Sequence, residues 1–469
     1  MLKSSSNPQS CLSVALASMC VFTGLSGCST YQAKPLSTDV VNKALEQKPL
    51  QSVSIEASQL DHPLIRSIAI DGNGGYSPDE LAVMAVILSP TLRALRDQQG
   101  VAQSQVTQAG ILPNPQLSFS VDRPTEVYDP VATAAKGMGL SYDLSALLSH
   151  ADNHAAAQAN ARSVNLSVAW QEWQYAQATR LSAYRILSLE ERLPNARTIE
   201  QDLVEALSEA NKALQKGYQT AVDLAVLHTN LNQARSMRFD MEQQLIEQRA
   251  SLNLCLGRQV SEVVPIKRTA DMPTLNEQVS ELGRAIEGSR LDLLALKMGY
   301  ESQEYSLRAA VKAQFPKIGI SVNKANDTTP ISTRGVGVTL DIPIFDRNQG
   351  QIAIGEASRQ QLFDEYVARV AEARTEVSQI VAQIGHVKSE LLSAELASIE
   401  EQHIVDSLEK TIHSGNLDYQ VYRDARAQLA NRNLELSALK QELLELGVAL
   451  EIATGRSLLS SSITKTVTP

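Results

Sequence analysis

The stretch VGVTLDIPIFDRNQG, Val336–Gly350, joins the pattern of a β-strand to the start of a helical pattern. Apolar residues alternate with small or polar residues through Ile344, which is the period of a β-strand with one apolar face. Pro343 has no N–H to donate, so it suits the rim of a sheet, where strand pairing ends. Asp346 and Asn348 are turn and capping residues, and an Ala-, Gln- and Glu-rich segment typical of a long helix follows at once. The sequence therefore predicts a strand joined directly to a helix.

The same pattern occurs twice along the chain, as an internal repeat. The segment GMGLSYDL from Gly137 matches GVGVTLDI from Gly335 at an offset of 198 residues, and PQLSFSV from Pro115 matches PKIGISV from Pro316 at an offset of 201. The offset changes between the two strands of each repeat, in a loop, where insertions are tolerated. Each repeat is therefore predicted to contain a helix, two strands, a long helix, a turn and a second long helix.

The four predicted strands share one apolar face, and small or polar residues such as Ser118, Gly139 and Thr339 occupy the other. The residues predicted on the apolar face are Leu117, Phe119, Val121, Met138, Leu140, Tyr142, Leu144, Ile318, Ile320, Val322, Val336, Val338, Leu340, Ile342 and Ile344. Strands of about ten residues have the length that a tilted strand needs to cross a bilayer.

Four strands cannot close a barrel, and open sheet edges in lipid leave polar backbone groups unpaired. The chain is therefore predicted to oligomerise, because three copies would supply about twelve strands around an open lumen. The alternative is a four-stranded soluble sheet packed on helices.

Two long helices are predicted, one from Ala151 to Gln215 with Pro194 as its kink, and one from about Ile352 to His413. At about 1.5 Å per residue, helices of this length reach roughly 100 Å, which is more than a bilayer requires. Apolar residues of the second helix follow the 3-4 spacing of a narrow coiled-coil seam, and they are Val377, Ile380, Ile384, Val387, Leu391 and Ala394.

The N-terminus predicts an exported chain. Lys3 and the apolar run from Cys11 to Leu25 are typical of a secretory signal. The run ends in Leu-Ser-Gly-Cys, which resembles the lipobox of bacterial lipoproteins and makes Cys28 the expected site of lipid attachment, including palmitate. The alternative is an ordinary signal peptide with an incidental cysteine. Ser29 resembles the sorting signal that favours the outer membrane.

Composition narrows the class of protein. The formal net charge of −10 argues against a nucleic-acid partner, and only 4% of residues are aromatic, which suits long helices with thin seams. Once the signal is removed and Cys28 is acylated, Cys255 has no cysteine to pair with, so it is predicted to be a small buried hydrophobe. No catalytic constellation is present in the sequence, so an enzyme is not expected and neither is a cofactor.

The chain resembles the TolC-like outer membrane efflux factors, in particular the lipoprotein branch that includes the CusC- and CzcC-like ducts. The resemblance covers residues 75–458 and is carried by Ile111–Leu117, by Ile342–Gly350, by the duplicated turns at Gly217 and Gly415, and by the lipobox. The first strand-to-helix joint, Leu144–Leu148, departs from the family because it lacks proline.

The resemblance implies a mainly α-helical homotrimer with transmembrane β-strands. Four strands per chain are expected to complete a barrel of about twelve strands in the outer membrane, with coiled-coil-like helices forming a periplasmic tunnel. The expected function is to conduct drugs or heavy-metal cations passively, with a periplasmic adaptor and an inner-membrane pump of the RND type as partners. The alternatives are the exit duct of a type I protein-secretion system and, in another class, a non-conducting periplasmic coiled-coil adaptor lipoprotein.

The resemblance also places functional residues at the helical-hairpin tips, where adaptors dock. These are Gly217, Tyr218, Gly415, Asn416 and Leu417. Acidic residues beyond the tips would form an anionic ring at the closed aperture in a trimer, and the candidates are Asp223, Asp418 and Asp424, with Arg423 or Arg426 bridging protomers. The alternative for each is a solvated charge on a helix surface.

Two further residue pairs have competing interpretations. His150 and His154 lie four residues apart and could bind a soft metal, but no third ligand is evident, and their repeat counterparts are Asn348 and Ile352. Trp170 and Trp173 are predicted to pack rather than to bind a ligand.

The predicted segments follow from these assignments. They are a lipoprotein signal peptide at 1–27, a lipid anchor and tether at 28–75, a first repeat at 76–258, a linker at 259–288, a second repeat at 289–458 and a tail at 459–469. Within the repeats, β-hairpins are predicted at about 115–144 and 316–345, and helical-hairpin tips near 217 and 415.

Overall fold

The structure is a computed structural model that describes residues 30–46, 48–125, 133–267, 274–275, 285–329, 331–413 and 419–460. The predicted lipid-attachment residue and most of the second tip lie outside these ranges, namely Cys28, Gly415, Asn416, Leu417 and Asp418. Contacts divide the chain into two units, Met1–Glu46 and Gln47–Pro469. The described part of the first unit contains helix α1, Thr38–Leu45, which Ser37 caps.

The second unit carries the duplicated architecture. Its helices are α2 (Leu50–Ser58), α3 (Pro78–Leu88), α4 (Pro90–Gly110), α5 (Ser145–Gln215), α6 (Ala221–Cys255), α7 (Leu291–Lys312), α8 (Gln349–His413) and α9 (Tyr419–Thr454). Its strands are β1 (Gln116–Asp122), β2 (Ala135–Asp143), β3 (Thr274–Leu275), β4 (Lys317–Asn326), β5 (Ser332–Asp341) and β6 (Leu459–Ser460). No helix among the described residues has both the length and the hydropathy needed to cross a membrane.

Local sequence signals determine where the first helices begin. Ser77 caps α3 through a capping box with Glu80, and Pro78 occupies the first turn, where a missing N–H costs nothing. Ser89 ends α3 and caps α4 by accepting a hydrogen bond from the N–H of Leu92. The first of these caps has the Ser-x-x-Glu spacing of a capping box, a signal that is local in sequence.

The core lies where α5 packs against α3, α4, α6, α7 and α9. Trp170 and Trp173 are buried there beside the apolar face of α3, which confirms that they are packing residues. Val53 and Ala57 of α2 join the same cluster, and α2 packs against α3, so the described part of the segment before the first repeat contributes to the core. Cys255 is buried in this core with a free thiol, as predicted.

The predicted seam on α8 is confirmed. Val377, Ile380 and Ile384 pack with residues of α7 and α9 in one buried cluster. Val387 and Ala394 continue the seam in a second cluster against α9. The 3-4 spacing read from the sequence thus marks the buried side of a helical hairpin.

Helix α5 begins immediately after β2. The predicted start was Ala151, whereas the helix begins at Ser145 and then continues without interruption through Pro194. The Asp143 side chain accepts a hydrogen bond from the Ser145 N–H at 2.9 Å. This contact satisfies a free N–H at the helix start and explains how the first joint works without a proline.

The four longer strands form one antiparallel sheet in the order β1-β2-β4-β5. The second hairpin lies within the predicted range of about 316–345. Its ladder continues to Asn326 opposite Ser332, and the Asp327 N–H donates to the Ile331 carbonyl in the turn that follows. Pro343 lies just beyond the end of β5, where strand pairing has stopped. In a separate small sheet, β3 of the predicted linker pairs with β6 at the start of the predicted tail.

Candidate functional site

The four-stranded sheet exposes the apolar face that the sequence predicted. Phe119 on β1 is 70% exposed, and Val336 and Val338 on β5 are 81% and 71% exposed. Large side chains exposed to this extent in one contiguous patch mark an interaction surface. Among the described residues, no layer of helices covers this face, which is the reverse of the soluble-sheet alternative.

The opposite face of the sheet is polar and tightly spaced. A Cβ added to Gly139 would lie 2.6 Å from Asn323 Oδ1 and 2.7 Å from Ser118 Oγ on the two neighbouring strands. Glycine is required there because the facing polar side chains already fill the space. Gly337 stands in the same relation to Ser321. Glycine on one strand therefore makes room for polar side chains on the next.

Strands β1 and β5 form the two edges of this sheet. Their outward N–H and C=O groups have no strand partner within the described part of the chain. In water these groups are hydrated, but in lipid each unpaired group costs several kcal/mol. An apolar face combined with two open edges is therefore incomplete as a membrane structure in a single copy.

The two strand-to-helix joints are built alike. His150 Nε2 lies 3.1 Å from the Gly110 carbonyl at the end of α4. Its repeat counterpart Asn348 donates from Nδ2 to the Ala310 carbonyl of α7 at 2.7 Å. Each side chain ties the start of a long helix to the last turn of the helix before the hairpin. Asn348 has a φ of 58°, a left-handed conformation that Asn tolerates better than most residues.

This shared role favours structure over metal binding at the histidine pair. The rings of His150 and His154 stack with their centroids 6.4 Å apart. Asp152, which lies between them in sequence, forms an ion pair with Lys312 of α7 instead of facing the imidazoles. Among the described residues, no group of three or more His, Cys, Asp and Glu side chains could hold a metal ion.

A buried polar network joins the two repeats near the middle of α5. Arg180 Nη1 lies 2.5 Å from Glu451 Oε2 of α9, and Arg180 Nε lies 2.8 Å from Asp79 Oδ1 of α3. Gln177 donates to the same Glu451 oxygen at 3.0 Å. Burial opposes the guanidinium charge, but Glu451 and Asp79 outweigh it and raise the pKa of Arg180. The sequence analysis did not predict this network. Its local signal is one charged residue, Arg180, on the buried face of α5.

The first helical-hairpin tip turns at Gly217, whose φ of 76° is the left-handed conformation that favours glycine. The Tyr218 N–H then donates to the Ala213 carbonyl at 2.9 Å, which closes the end of α5. The Tyr218 side chain is 80% exposed. A rigid turn therefore presents an exposed aromatic ring.

Asp223 has a local structural partner beyond this tip. Its carboxylate accepts hydrogen bonds from the N–H and the hydroxyl of Thr220, at 3.0 Å and 2.8 Å, and completes a capping box at the start of α6. These hydrogen bonds lower the pKa of Asp223. Asp223, a candidate aperture residue, thus caps the start of α6. The Thr-x-x-Asp spacing in the sequence is consistent with this role.

The two candidate arginines have partners in their own chain. Arg423 Nη1 lies 3.1 Å from Glu209 Oε2, and Arg426 Nε lies 3.3 Å from Asp202 Oδ2. Both acids are on α5, so each pair joins the second repeat to the first within one copy. The predicted bridge between protomers needs residues from two copies and stays a prediction. Asp424 is exposed and lines a groove of about 700 Å³ between α5, α6 and α9.

A duplicated chain with an exposed apolar sheet on long helical hairpins is the fold shared with solved outer membrane channel structures. Residues 282–456 match the model of the family described as outer membrane efflux protein, and this span overlaps nearly all of the predicted second repeat. The second repeat is therefore similar to the outer membrane efflux protein family, and the whole chain has the fold of the solved channel structures. No curated protein sequence matches it.

Solved structures share the fold over nearly their full length. CusC, whose crystal structures address folding and transmembrane channel formation, is 16% identical with a TM-score of 0.65, covering 88% of this chain and 98% of CusC. The outer membrane protein VceC of Vibrio cholerae is 17% identical with a TM-score of 0.64, covering 81% and 96%. The open MtrE channel of Neisseria gonorrhoeae is 15% identical with a TM-score of 0.61, covering 86% and 96%.

Proposed function

We propose that the chain is one subunit of an outer membrane exit duct, which passively conducts small toxic solutes that an inner-membrane pump and a periplasmic adaptor deliver. The observation that carries this proposal is the four-stranded sheet with an exposed apolar face, a polar face and two open edges. The described sheet has two open edges in one copy, and the proposed duct is a homotrimer in which three such sheets close a barrel.

The sheet supplies the membrane part of the duct. Three copies bring about twelve strands, enough for a barrel with an open lumen rather than one filled by side chains. The apolar face then contacts lipid, and the Gly-, Ser- and Asn-rich face lines the lumen. Joining the edges of neighbouring copies satisfies the backbone groups that lipid cannot.

The helical hairpins supply the periplasmic part. Helix α5 has 71 residues and α8 has 65, so at about 1.5 Å per residue both extend roughly 100 Å. A duct of this kind performs no chemistry, and the energy for export comes from the pump. Drugs or heavy-metal cations are the proposed cargo, and an RND transporter is the proposed pump.

The tips and the lipid anchor complete the proposal. The exposed Tyr218 beside the Gly217 turn is a docking point for the adaptor at the first tip. Gly415, Asn416 and Leu417 have the same role at the second tip, and Cys28 carries the lipid that holds the chain at the outer membrane. At the aperture, Asp424 and the neighbouring Asp418 and Asp223 favour cations.

Conductance of the purified protein in planar bilayers tests this function. The wild-type protein should extract only with detergent, form a trimer by light scattering and show a small conductance that rises when Asp424→Ala removes charge from the aperture. Asp240→Ala, on the exposed side of α6, is the matched control and should leave conductance unchanged. Equal conductance for all three proteins would remove Asp424 from the gate. A delipidated protein that is a soluble monomer without detergent would overturn the duct itself.

A further inference from the structure

The far end of the four-stranded sheet carries three cations on its apolar face. Lys136 of β2, Lys324 of β4 and Arg334 of β5 lie at the strand ends farthest from the helices, and all three are exposed. Each lies two residues from an apolar residue of the same strand, as Arg334 does from Val336, and side chains two apart on a strand point to the same face. We name these three residues the basic cluster.

Strand pairing brings the basic cluster together. Lys324 pairs directly with Arg334 across β4 and β5. Lys136 pairs with Asn326, two residues beyond Lys324 on β4, so Lys136 is a diagonal neighbour of Lys324 at about 7–8 Å. Within the described part of the chain, none of the three forms an ion pair with an acid. Because like charges directly opposite each other are destabilising, the basic cluster repels itself until an anion lies on it.

The charges of the four strands are sorted by face. The acidic residues of these strands are Asp122, Asp143 and Asp341, and all three lie on the polar face. One further cation, Lys317, also lies on the polar face, where it pairs with Asp341. The apolar face of the strands therefore carries positive charge without any negative charge. A partner that contacts this end of the face meets an anion-attracting surface.

Positive charge occurs at equivalent positions of both repeats. At the offset of 198 residues Lys136 corresponds to Arg334, and at the offset of 201 residues Lys324 corresponds to Arg123, the exposed residue that follows β1. The type of cation differs within each pair, whereas the charge is the same. The positive charge thus belongs to one level of the sheet and not to a single hairpin.

The basic cluster lies near one edge of the apolar band. Arg334 and Ile342 are eight residues apart on and just after β5, which spans about 20 Å at about 3.3 Å per residue and a tilt of about 40°. The apolar band of a transmembrane barrel is about 25 Å tall. Lys and Arg are costly at the bilayer centre but are tolerated near its surface, because their long side chains extend the charge to the headgroups.

We propose that the basic cluster binds the phosphate groups of anionic lipid in the outer leaflet of the outer membrane. This inference rests on the proposed function, because it takes the insertion of the sheet and the periplasmic position of the helices from it. Since the cluster is at the end of the sheet opposite the helices, it faces the outer surface of the membrane.

The chemistry of the three side chains fits this ligand. The Arg334 guanidinium presents paired N–H groups that match two oxygens of one phosphate, and the ammonium groups of Lys136 and Lys324 add charge and donors beside it. The acyl chains of the same lipid lie along the exposed apolar side chains next to the cluster, such as Val322 and Val336. One lipid molecule thereby contacts both parts of the surface.

Lipid retained by the purified protein tests the site. The full chain in neutral detergent is mixed with lipopolysaccharide, phosphatidylglycerol or zwitterionic phosphatidylcholine, and bound lipid phosphorus per trimer is measured after size-exclusion chromatography. The wild type should retain several-fold more of the two anionic lipids than the triple variant Lys136→Gln, Lys324→Gln and Arg334→Gln. The two proteins should retain phosphatidylcholine equally. Equal retention of the anionic lipids would overturn the proposal.

A charge-matched variant separates the site from net charge. Arg162→Gln, Lys297→Gln and Lys388→Gln remove the same number of charges from exposed positions on α5, α7 and α8. This variant should retain anionic lipid as the wild type does, and a loss equal to that of the triple variant would show that only net charge matters. Inorganic phosphate in large excess should leave most lipid bound, because the acyl chains also contribute. Complete displacement would indicate a site for a small anion and would overturn the assignment to lipid.

Thermal dissociation of the trimer gives an independent measurement. In neutral detergent the triple variant should dissociate at the wild-type temperature or above it, because the repulsion between opposed cations is gone. Added phosphatidylglycerol should raise the dissociation temperature of the wild type more than that of the variant, since a ligand stabilises the state that binds it. Equal rises would count against the site. Arg334→Gln alone should show an intermediate rise and serves if the triple variant gives too little trimer.

The outcomes for the site and for the duct are distinguishable. A wild-type protein that forms no trimer in detergent would count against the duct. Trimers of normal conductance that retain lipid equally with and without the basic cluster would overturn the lipid site and leave the duct intact. The conservative variant Lys136→Arg with Lys324→Arg should retain lipid as the wild type does, because the charge and the donors remain.

Discussion

At the scale of single residues, His62 has a hydrogen-bonding pattern that fixes its protonation. Its Nδ1 accepts from the N–H groups of Leu64 and Ile65 at 3.1 Å and 3.0 Å, so this nitrogen carries no proton. Its Nε2 then donates to the Ala169 carbonyl of α5 at 3.1 Å. The neutral imidazole thus attaches the segment after α2 to the long helix.

This arrangement predicts that stability falls in mild acid. Burial lowers the pKa of His62 from its usual 6.5, and Arg96 lowers it further, while Glu172 of α5, the Ala169 carbonyl and Asp61 raise it. The unfolded chain therefore binds the proton more readily than the folded chain. The stability from the neutral form is full above pH 6.5 and is lost as pH falls through the lower pKa of the folded state.

His62→Asn keeps an acceptor near the position of Nδ1 but cannot titrate in this range. The melting temperature of this variant should depend less on pH than that of the wild type between about pH 8 and about pH 5. His386→Asn is the control, because the His386 side chain is 82% exposed. It should follow the wild-type curve. Identical pH profiles for all three proteins would contradict the assignment.

Residue roles could be predicted only where the partner is near in sequence or recurs in the repeat. The Ser77 cap was readable because its partner Glu80 lies three residues away. The structural role of His150 could also be predicted, because its repeat counterpart Asn348 is a turn and capping residue at the other strand-to-helix joint. Arg180 and Glu451 were missed because 271 residues separate them, and no local pattern shows that two distant charges meet in a core.

At the scale of elements, the two faces of β5 predict opposite responses to charge. Val338 is on the exposed apolar face, and Thr339, its neighbour in sequence, is on the polar face. An arginine on the lipid-facing side of a membrane strand costs about 2–4 kcal/mol near the bilayer centre. Val338→Arg should therefore reduce the amount of trimer in the outer membrane strongly, at least several-fold.

Thr339→Arg is the matched control because it adds the same side chain one residue further along. It faces the lumen, where water solvates the guanidinium, so trimer yield should stay near the wild-type level while conductance changes. Immunoblots of outer membrane fractions and bilayer recordings measure the two effects. Equal losses of trimer for both variants would show that the sheet is not inserted with this face toward lipid.

Elements were predictable because their periods are local. Alternation gave the strands, and the 3-4 spacing of Val377, Ile380 and Ile384 gave the seam of α8. Element ends were less accurate, because Asp143 starts α5 six residues before the predicted Ala151 through a side-chain contact. A capping contact of this kind depends on how the chain leaves the sheet, which periodicity does not encode.

At the scale of the whole molecule, duplication was visible in the sequence, but the contacts between repeats were not. Matching segments reveal two copies of one unit, and they do not say which strand of one unit pairs with which strand of the other. The β2–β4 pairing and the α5–α9 contact supply this information. The ion pairs of Arg423 and Arg426 with residues of α5 also join the two repeats within one copy.

These two ion pairs give a prediction for the proposed aperture beyond the helical-hairpin tips. Arg423 and Arg426 attach α9 to Glu209 and Asp202 of α5, and partly exposed pairs of this kind are worth about 0–1 kcal/mol each. Since about 1.4 kcal/mol changes an equilibrium tenfold, loss of both pairs should raise the open fraction by several-fold. The double variant Arg423→Gln with Arg426→Gln should therefore conduct more than the wild type in planar bilayers. Arg197→Gln removes an exposed pair with Glu242 inside the first repeat and should leave conductance unchanged, so an equal rise in both would show that general loosening, and not separation of the repeats, opens the duct.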